Sequence, residues 1–417
     1  MLTRPGCSPT RGRAHRALVT VVALAVLAPA GLAITAAPAR AVSADPVRNR
    51  QTWVLNMLDA PAAWTVTKGA GVTVAVIDSG VNPNVSDLAG SVITGPDYTG
   101  VHTPPSNPHG GVHGTWMASL IAGHGHDDGN SGILGMAPEA KVLSIRVITD
   151  PGDPGYRHYQ HEPTSSVQHS LAAAIRYAVR HRVGVINMSV GYGNASRPVR
   201  SALQDAYSHN IVVLASAGNS GRPAASQAPY SFPADYPGVI SVAAVDQAGS
   251  AARFSSDNLS VQLAAPGVDV PAQGRDGAYW LVSGTSPACA LTAGVAALIK
   301  AAHPRLSASL IALALTTTTK NRPPGGYDPD VGFGTVDAAA ALAKARQLSE
   351  EPHAAGLAAA VHFGGGKAAV PAPPAFKRGP GALIGFTVLA LGSLALVVIG
   401  LARLVRRRRL RMRPDAG

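Results

Sequence analysis

The chain has 417 residues, of which 46% are apolar, and a formal net charge of +12. That is ample for a core and long enough for one large domain or two. The charge sits at the ends, with +5 in residues 1–41 and +6 in residues 403–417, leaving +1 for everything between. A near-neutral body argues against nucleic acid as a partner and assigns the basicity to targeting and membrane segments.

Residues 1–41 read as a secretory signal peptide. Arg4, Arg11, Arg13 and Arg16 precede the apolar run Ala17–Ala28, and Ala39-Arg40-Ala41 fits a small-x-small cleavage site. Pro29 and Gly31 break the run, which disfavours an uncleaved membrane helix. No adjacent arginine pair precedes it, so the general export route is expected. Short apolar runs at 71–78, 141–147, 183–188, 211–215, 239–245 and 278–282 read as strands, the first of them buried. Helical patterns occupy 167–181, 197–209 and a stretch near 307–318. Gly110–Gly123 places His113 at a loop-to-helix boundary, with Met117, Leu120 and Ile121 on the packed face. After Ser286, Leu291, Val295, Leu298 and Ile299 again recur at helical spacing. The alternation predicts an α/β fold, a mostly parallel sheet with helices on both faces.

Toward the C-terminus, residues 349–380 are rich in Ala, Gly and Pro and read as a linker. Residues 381–402 follow as a transmembrane helix. Ala382–Ala402 is uncharged and spans roughly 31 Å as a helix. Seven arginines crowd the tail at 403–417; by the positive-inside rule they stay cytoplasmic, which puts the body, residues 42–348, outside the membrane. Cys7 would leave with the signal, so Cys289 stands alone and is expected as a small buried hydrophobe.

The chemistry follows from placement, because reactive groups in such sheets collect at the carboxyl ends of strands. Asp78 and Asn219 each end a strand pattern, while His113 and Ser286 each open a helix. A serine hydroxyl needs a base within hydrogen-bond reach. His113 can take that proton, and Asp78 can fix the imidazole tautomer. Asn219 can donate its amide to a developing oxyanion together with the Ser286 backbone N–H. An α/β-hydrolase elbow does not fit: the surroundings of Ser286 are not Gly-x-Ser-x-Gly, and the next residue, Pro287, has no N–H.

From Val54 to Ala345 the chain resembles the subtilases, the subtilisin-like serine proteases. The resemblance is carried by Val76-Ile77-Asp78-Ser79-Gly80, His113-Gly114-Thr115, Asn187-Met188-Ser189-Val190-Gly191, Ala217-Gly218-Asn219, Ala265-Pro266-Gly267 and Gly284-Thr285-Ser286, in that order. It implies a subtilisin-like fold and a serine endopeptidase acting on proteins or peptides. Catalytic residues would be Asp78, His113, Ser286 and Asn219. Substrate would bind along Ser189, Val190, Gly191, Ala217 and Gly218, with Ser231 and Phe232 at the base of the primary pocket. Gly191-Tyr192-Gly193 fits a substrate-binding edge. Two positions depart from the family pattern. Ala290 stands where a proline is usual, which should only regularise the helix, and Pro287 follows the nucleophile, where it can shift the serine rotamer.

Signal, the Trp53–Trp64 segment, Pro-rich stem, single anchor and basic tail together resemble the mycosins, membrane-anchored subtilases of type VII secretion systems. Only 36 residues separate Ala41 from Asp78, too few for a subtilisin-type inhibitory prodomain. The partners implied are substrate proteins, the cell membrane and a secretion membrane complex. A general exported subtilase and a mainly structural subunit are the alternatives. No cofactor is expected. The family's structural calcium is weighed at the loop before Ala137-Pro138, near Asp87, but Gly129 stands where its side-chain ligand would be. His124-Gly125-His126-Asp127-Asp128 reads as a solvated turn in that loop. His102 and His109, and the stretch from Tyr156 to His161, read as surface insertions flanking the cleft.

Overall fold

The structure, a computed structural model, describes residues 45–101, 110–221 and 230–351, together with 393, 399, 400, 402 and 403. The signal peptide, the loop holding His102 and His109, nearly all of the linker and the basic tail lie outside the described residues. Of the expected membrane helix only Ser393, Ile399, Gly400 and Ala402 are described, each helical.

In chain order the elements are α1 (Pro46–Met57), α2 (Ala60–Trp64), β1 (Thr73–Asp78), a 3-10 turn (Ser86–Leu88), β2 (Val92–Asp97), α3 (Val112–Ala122), β3 (His124–His126), β4 (Ser131–Leu134) and β5 (Lys141–Arg146). Then come α4 (Tyr156–Gln160), α5 (Thr164–Arg180), β6 (Val185–Met188), α6 (Arg197–Ser208), β7 (Val212–Ser216), β8 (Val239–Val245), β9 (Val261–Pro266), β10 (Val270–Gln273) and β11 (Tyr279–Val282). The last helices are α7 (Thr285–Ala302), α8 (Ala308–Thr317) and α9 (Ala338–Glu350).

Seven strands form one parallel sheet in the order β2-β5-β1-β6-β7-β8-β9, and β3–β4 and β10–β11 are separate antiparallel pairs. Strand residues alternate between faces. Val74 and Val76 of β1, and Val212 and Leu214 of β7, pack with α3 and α7. Their neighbours Ala75, Ile77, Val213 and Ala215 pack with α5 and α6 on the other face. This is why the strands read as unbroken apolar runs: both faces are covered.

Helix α7 is apolar and long enough to cross a membrane by composition, yet it is buried from Thr285 to Lys300 within the larger core. It runs unbroken through Ala290, as the missing proline predicts. Cys289 is free and fully buried in it, and burial raises its thiol pKa strongly.

Candidate active site

Parallel strands bring their carboxyl ends to one edge, and the expected residues meet there. Asp78 is the last residue of β1 and is fully buried. Its Oδ1 accepts the Ser79 N–H at 2.7 Å and faces His113 Nδ1 at 2.8 Å. Its Oδ2 is buried without a partner among the described residues. Helix α3 can approach this turn because residue 114 is glycine. A Cβ there would collide with the Gly80 carbonyl, and the Gly114 N–H instead donates to Ser79 Oγ at 3.0 Å.

The His113 ring is 27% exposed. Burial alone would lower its pKa, but the charge and hydrogen bond of Asp78, with a smaller contribution from Asp150, hold it above the ordinary imidazole value. With Nδ1 committed to Asp78, Nε2 is the nitrogen left to act as a base.

Ser286 lies in the first turn of α7, where helix N–H groups have no intrahelical acceptor. Its hydroxyl makes no hydrogen bond among the described residues, although Ser286 and His113 line one cleft of about 800 Å³. Such contacts commonly close only with substrate bound. Asn219 follows β7. Its Oδ1 accepts from Thr285 N at 2.9 Å and Oγ1 at 3.0 Å. That orientation leaves Nδ2 as the free donor beside the Ser286 helix. The cleft therefore holds an oriented base, a hydroxyl and two amide donors, the set that acyl transfer to serine requires.

Beyond β6, Ser189 lines the cleft, and its hydroxyl donates to the Ser286 carbonyl at 3.4 Å. Val190 is buried in the smaller core and Ala217 in the β8–β9 cluster. Ser231 sits between the two glycines: its Oγ would overlap a Cβ on Gly191 and lies 3.6 Å from one on Gly218. Tyr192, on the expected edge, exchanges backbone hydrogen bonds with Phe232 at 2.7 and 2.8 Å. Residues 156–160 form α4, and Tyr156 and Tyr159 line the cleft.

Several cleft residues were not anticipated. Asp150 follows β5, at the same sheet edge as Asp78, and the rule that picks out strand ends would have found it. Trp116 lies one turn beyond His113, and its ring packs on both His113 and Trp280. Trp280, Arg275 and Asp276, from the β10–β11 hairpin, complete that wall; no local pattern marks them.

The stretch around His124 needs correction. His124–His126 is a strand of a hairpin rather than a solvated turn, and Asp127 and Asp128 belong to the turn at 127–130 that follows it. His126 Nδ1 lies 2.7 Å from Oδ1 of the fully buried Asp87, whose Oδ2 accepts the Ile133 N–H at 2.7 Å. A calcium ion takes six to eight oxygen ligands. Here both oxygens of the Asp87 carboxylate are already engaged by N–H donors, and Gly129 offers no side chain, so these residues do not fit that ion. Among the described residues no group of three or more His, Cys, Asp or Glu is placed to hold a metal.

Sheet, helices and cleft together define a serine-hydrolase scaffold, and the subtilase family model matches residues 69–334. The chain belongs to the subtilase family and is a peptide-bond hydrolase. It is 35% identical over 258 residues to subtilisin DY of Bacillus licheniformis, covering 61% of this chain and 85% of that one. It is 33% identical over 274 residues to thermitase of Thermoactinomyces vulgaris, covering 66% and 90%. Among solved structures it is similar to the MycP3 protease from the type VII (ESX-3) secretion system, with TM-score 0.59 and 30% identity over 70% of this chain and 87% of that one. It is likewise similar to fervidolysin, a keratinolytic enzyme of Fervidobacterium pennivorans, with TM-score 0.62 and 30% identity over 72% and 46%.

Proposed function

We propose that this subtilase is a membrane-anchored extracytoplasmic endopeptidase of the mycosin type, associated with type VII secretion, with Asp78, His113 and Ser286 as its triad. His113 removes the Ser286 proton as Oγ attacks the scissile carbonyl and returns it to the leaving amine. Asn219 Nδ2 and the Ser286 N–H receive the oxyanion. Water then hydrolyses the acyl-enzyme, with His113 again as base.

The observation that carries the catalytic reading is the 2.8 Å contact between His113 Nδ1 and Asp78, which leaves Nε2 for a serine lining the same cleft. The likeness to MycP3 supports the secretion reading, together with the signal, linker, uncharged stretch and arginine tail. Fluorophosphonate labelling at Ser286, lost in Ser286→Ala, tests the triad. No labelling of the folded wild-type chain would remove it. Comparing the secretome of a Ser286→Ala strain with wild type separates the roles. Loss of processed type VII substrates supports the mycosin reading; changes confined to other exported proteins point to a general protease.

A further inference from the structure

Helix α3 opens without a capping side chain of its own. Its N-cap is Gly111, which offers nothing to the free N–H groups of the first turn. The acceptor comes from elsewhere in the chain. Asp150, in the loop after β5, takes the Val112 N–H on Oδ2 at 2.6 Å and the His113 N–H on Oδ1 at 3.3 Å. Both oxygens thus hold the turn that carries the imidazole, and the residue is only 5% exposed. The carboxylate also lies at the positive end of the helix dipole.

The same side chain lines the cleft with His113 and Ser286. Two acids therefore act on the ring, Asp78 from β1 and Asp150 from the β5 loop. Around Asp150 stand Asp78, His113 and the Ser79 hydroxyl. Arg275 faces it from the β10–β11 turn, with Arg146 and Asp153 beside that guanidinium. Asp276, Tyr156 and Tyr159 share the cleft. Burial and the Asp78 charge raise the Asp150 carboxyl, while Ser79, His113 and the Val112 N–H pull it back.

We propose that Asp150 is a positioning residue for His113: its two backbone contacts fix where α3 begins, and its charge favours the imidazolium formed during proton transfer. The two acids have separate tasks. Asp78 sets the ring tautomer through Nδ1; Asp150 sets the ring's height against Ser286 through the backbone. A slip of one residue in α3 would displace the ring by about 1.5 Å along the axis and turn it by about 100° around it, and a misplacement near 1 Å already costs about 10²-fold in rate.

The inference rests on the catalytic reading above, and one assay separates the two. Fluorophosphonate labelling forms an O–P bond at Ser286, expels fluoride and passes the serine proton to His113, so its rate rises as the imidazole becomes neutral. The rate is measured against pH on the full-length chain for wild type, Asp150→Asn and Asp150→Ala. Asparagine removes the charge and keeps one acceptor; alanine removes both. The acid limb is expected to move to lower pH in both variants, and the plateau rate to fall further in Asp150→Ala. A merely structural cap would lower the plateau without moving the limb. An unmoved limb in a folded, labelled Asp150→Asn chain overturns the proposal and leaves the triad standing, and that variant decides the matter even where Asp150→Ala does not fold. Failure to label wild type overturns the triad and this inference with it.

Discussion

Replacing Ser231 by glycine should open the primary pocket to larger side chains. The Ser231 hydroxymethyl fills the gap between the Gly191 and Gly218 walls, with Cβ 3.5 Å and Oγ 3.6 Å from a Cβ placed on Gly218. The hydroxyl makes no hydrogen bond among the described residues, so its removal strands no partner. The backbone is held independently, since the Ser231 N–H donates to Asp235 Oδ2 and Phe232 is bridged to Tyr192. Two heavy atoms leave the pocket. Counting the lost Cβ as one methylene, worth about 1–3 kcal/mol, kcat/KM for a phenylalanine before the cut should rise about 10–200-fold relative to alanine. The stability cost of the added backbone freedom is about 0.5–1 kcal/mol. A peptide library varied at that position, read on both proteins, measures the ratio. Wild type should prefer Ala, Val or Leu. An unchanged ratio in a folded Ser231→Gly chain would show that the pocket base lies elsewhere. Cleavage after Arg or Lys should be disfavoured in both, because Asp235, the acid bonded to Ser231, already accepts from Ser231 N and Ser260 Oγ.

Asn219→Leu should lower kcat by about 10²–10³, or about 2.7–4 kcal/mol, with KM little changed; a large KM effect at constant kcat would make Asn219 a substrate-binding residue instead. Asp87→Ala leaves the His126 ring and the Ile133 N–H without their acceptor and should cost about 1–3 kcal/mol in denaturant unfolding, whereas a chelator should leave the wild-type Tm unchanged; a Tm that drops on chelation would restore calcium to this loop. Protease added outside intact cells should cut within 349–380 and spare an epitope on the arginine tail; digestion of that epitope across a sealed membrane would reverse the orientation.

Much of the site was legible because its residues sit at changes of period. Asp78 ends an apolar run and Ser286 begins a helical one, and parallel strands bring such junctions to a common edge. Other parts lacked that mark. Strand β2 contains Gly95 and Pro96 and is half exposed at the sheet edge, so it has neither an apolar run nor clean alternation. The β3–β4 hairpin holds its place through His126 and Asp87, 39 residues apart, a pairing invisible to local pattern. Helix α1 is weakly amphipathic, and its fully buried Gln51 reads as a surface residue until its bonds to both Leu134 backbone groups are seen. Trp280 reaches the cleft only because β11 folds back on β10.

The composition of α7 also bears on biogenesis. If the chain is exported as proposed, it crosses the translocation channel unfolded, and this helix passes the lateral exit as a segment long enough to be left in the bilayer. Seven alanines, one glycine and Lys300 keep it only weakly apolar, while the same small side chains let it lie close against its neighbours, with Gly294 pressed on Met136. Enlarging its alanines to leucine would therefore fail twice, by overfilling the core and by turning the helix that carries Ser286 into a stop signal that strands it in lipid.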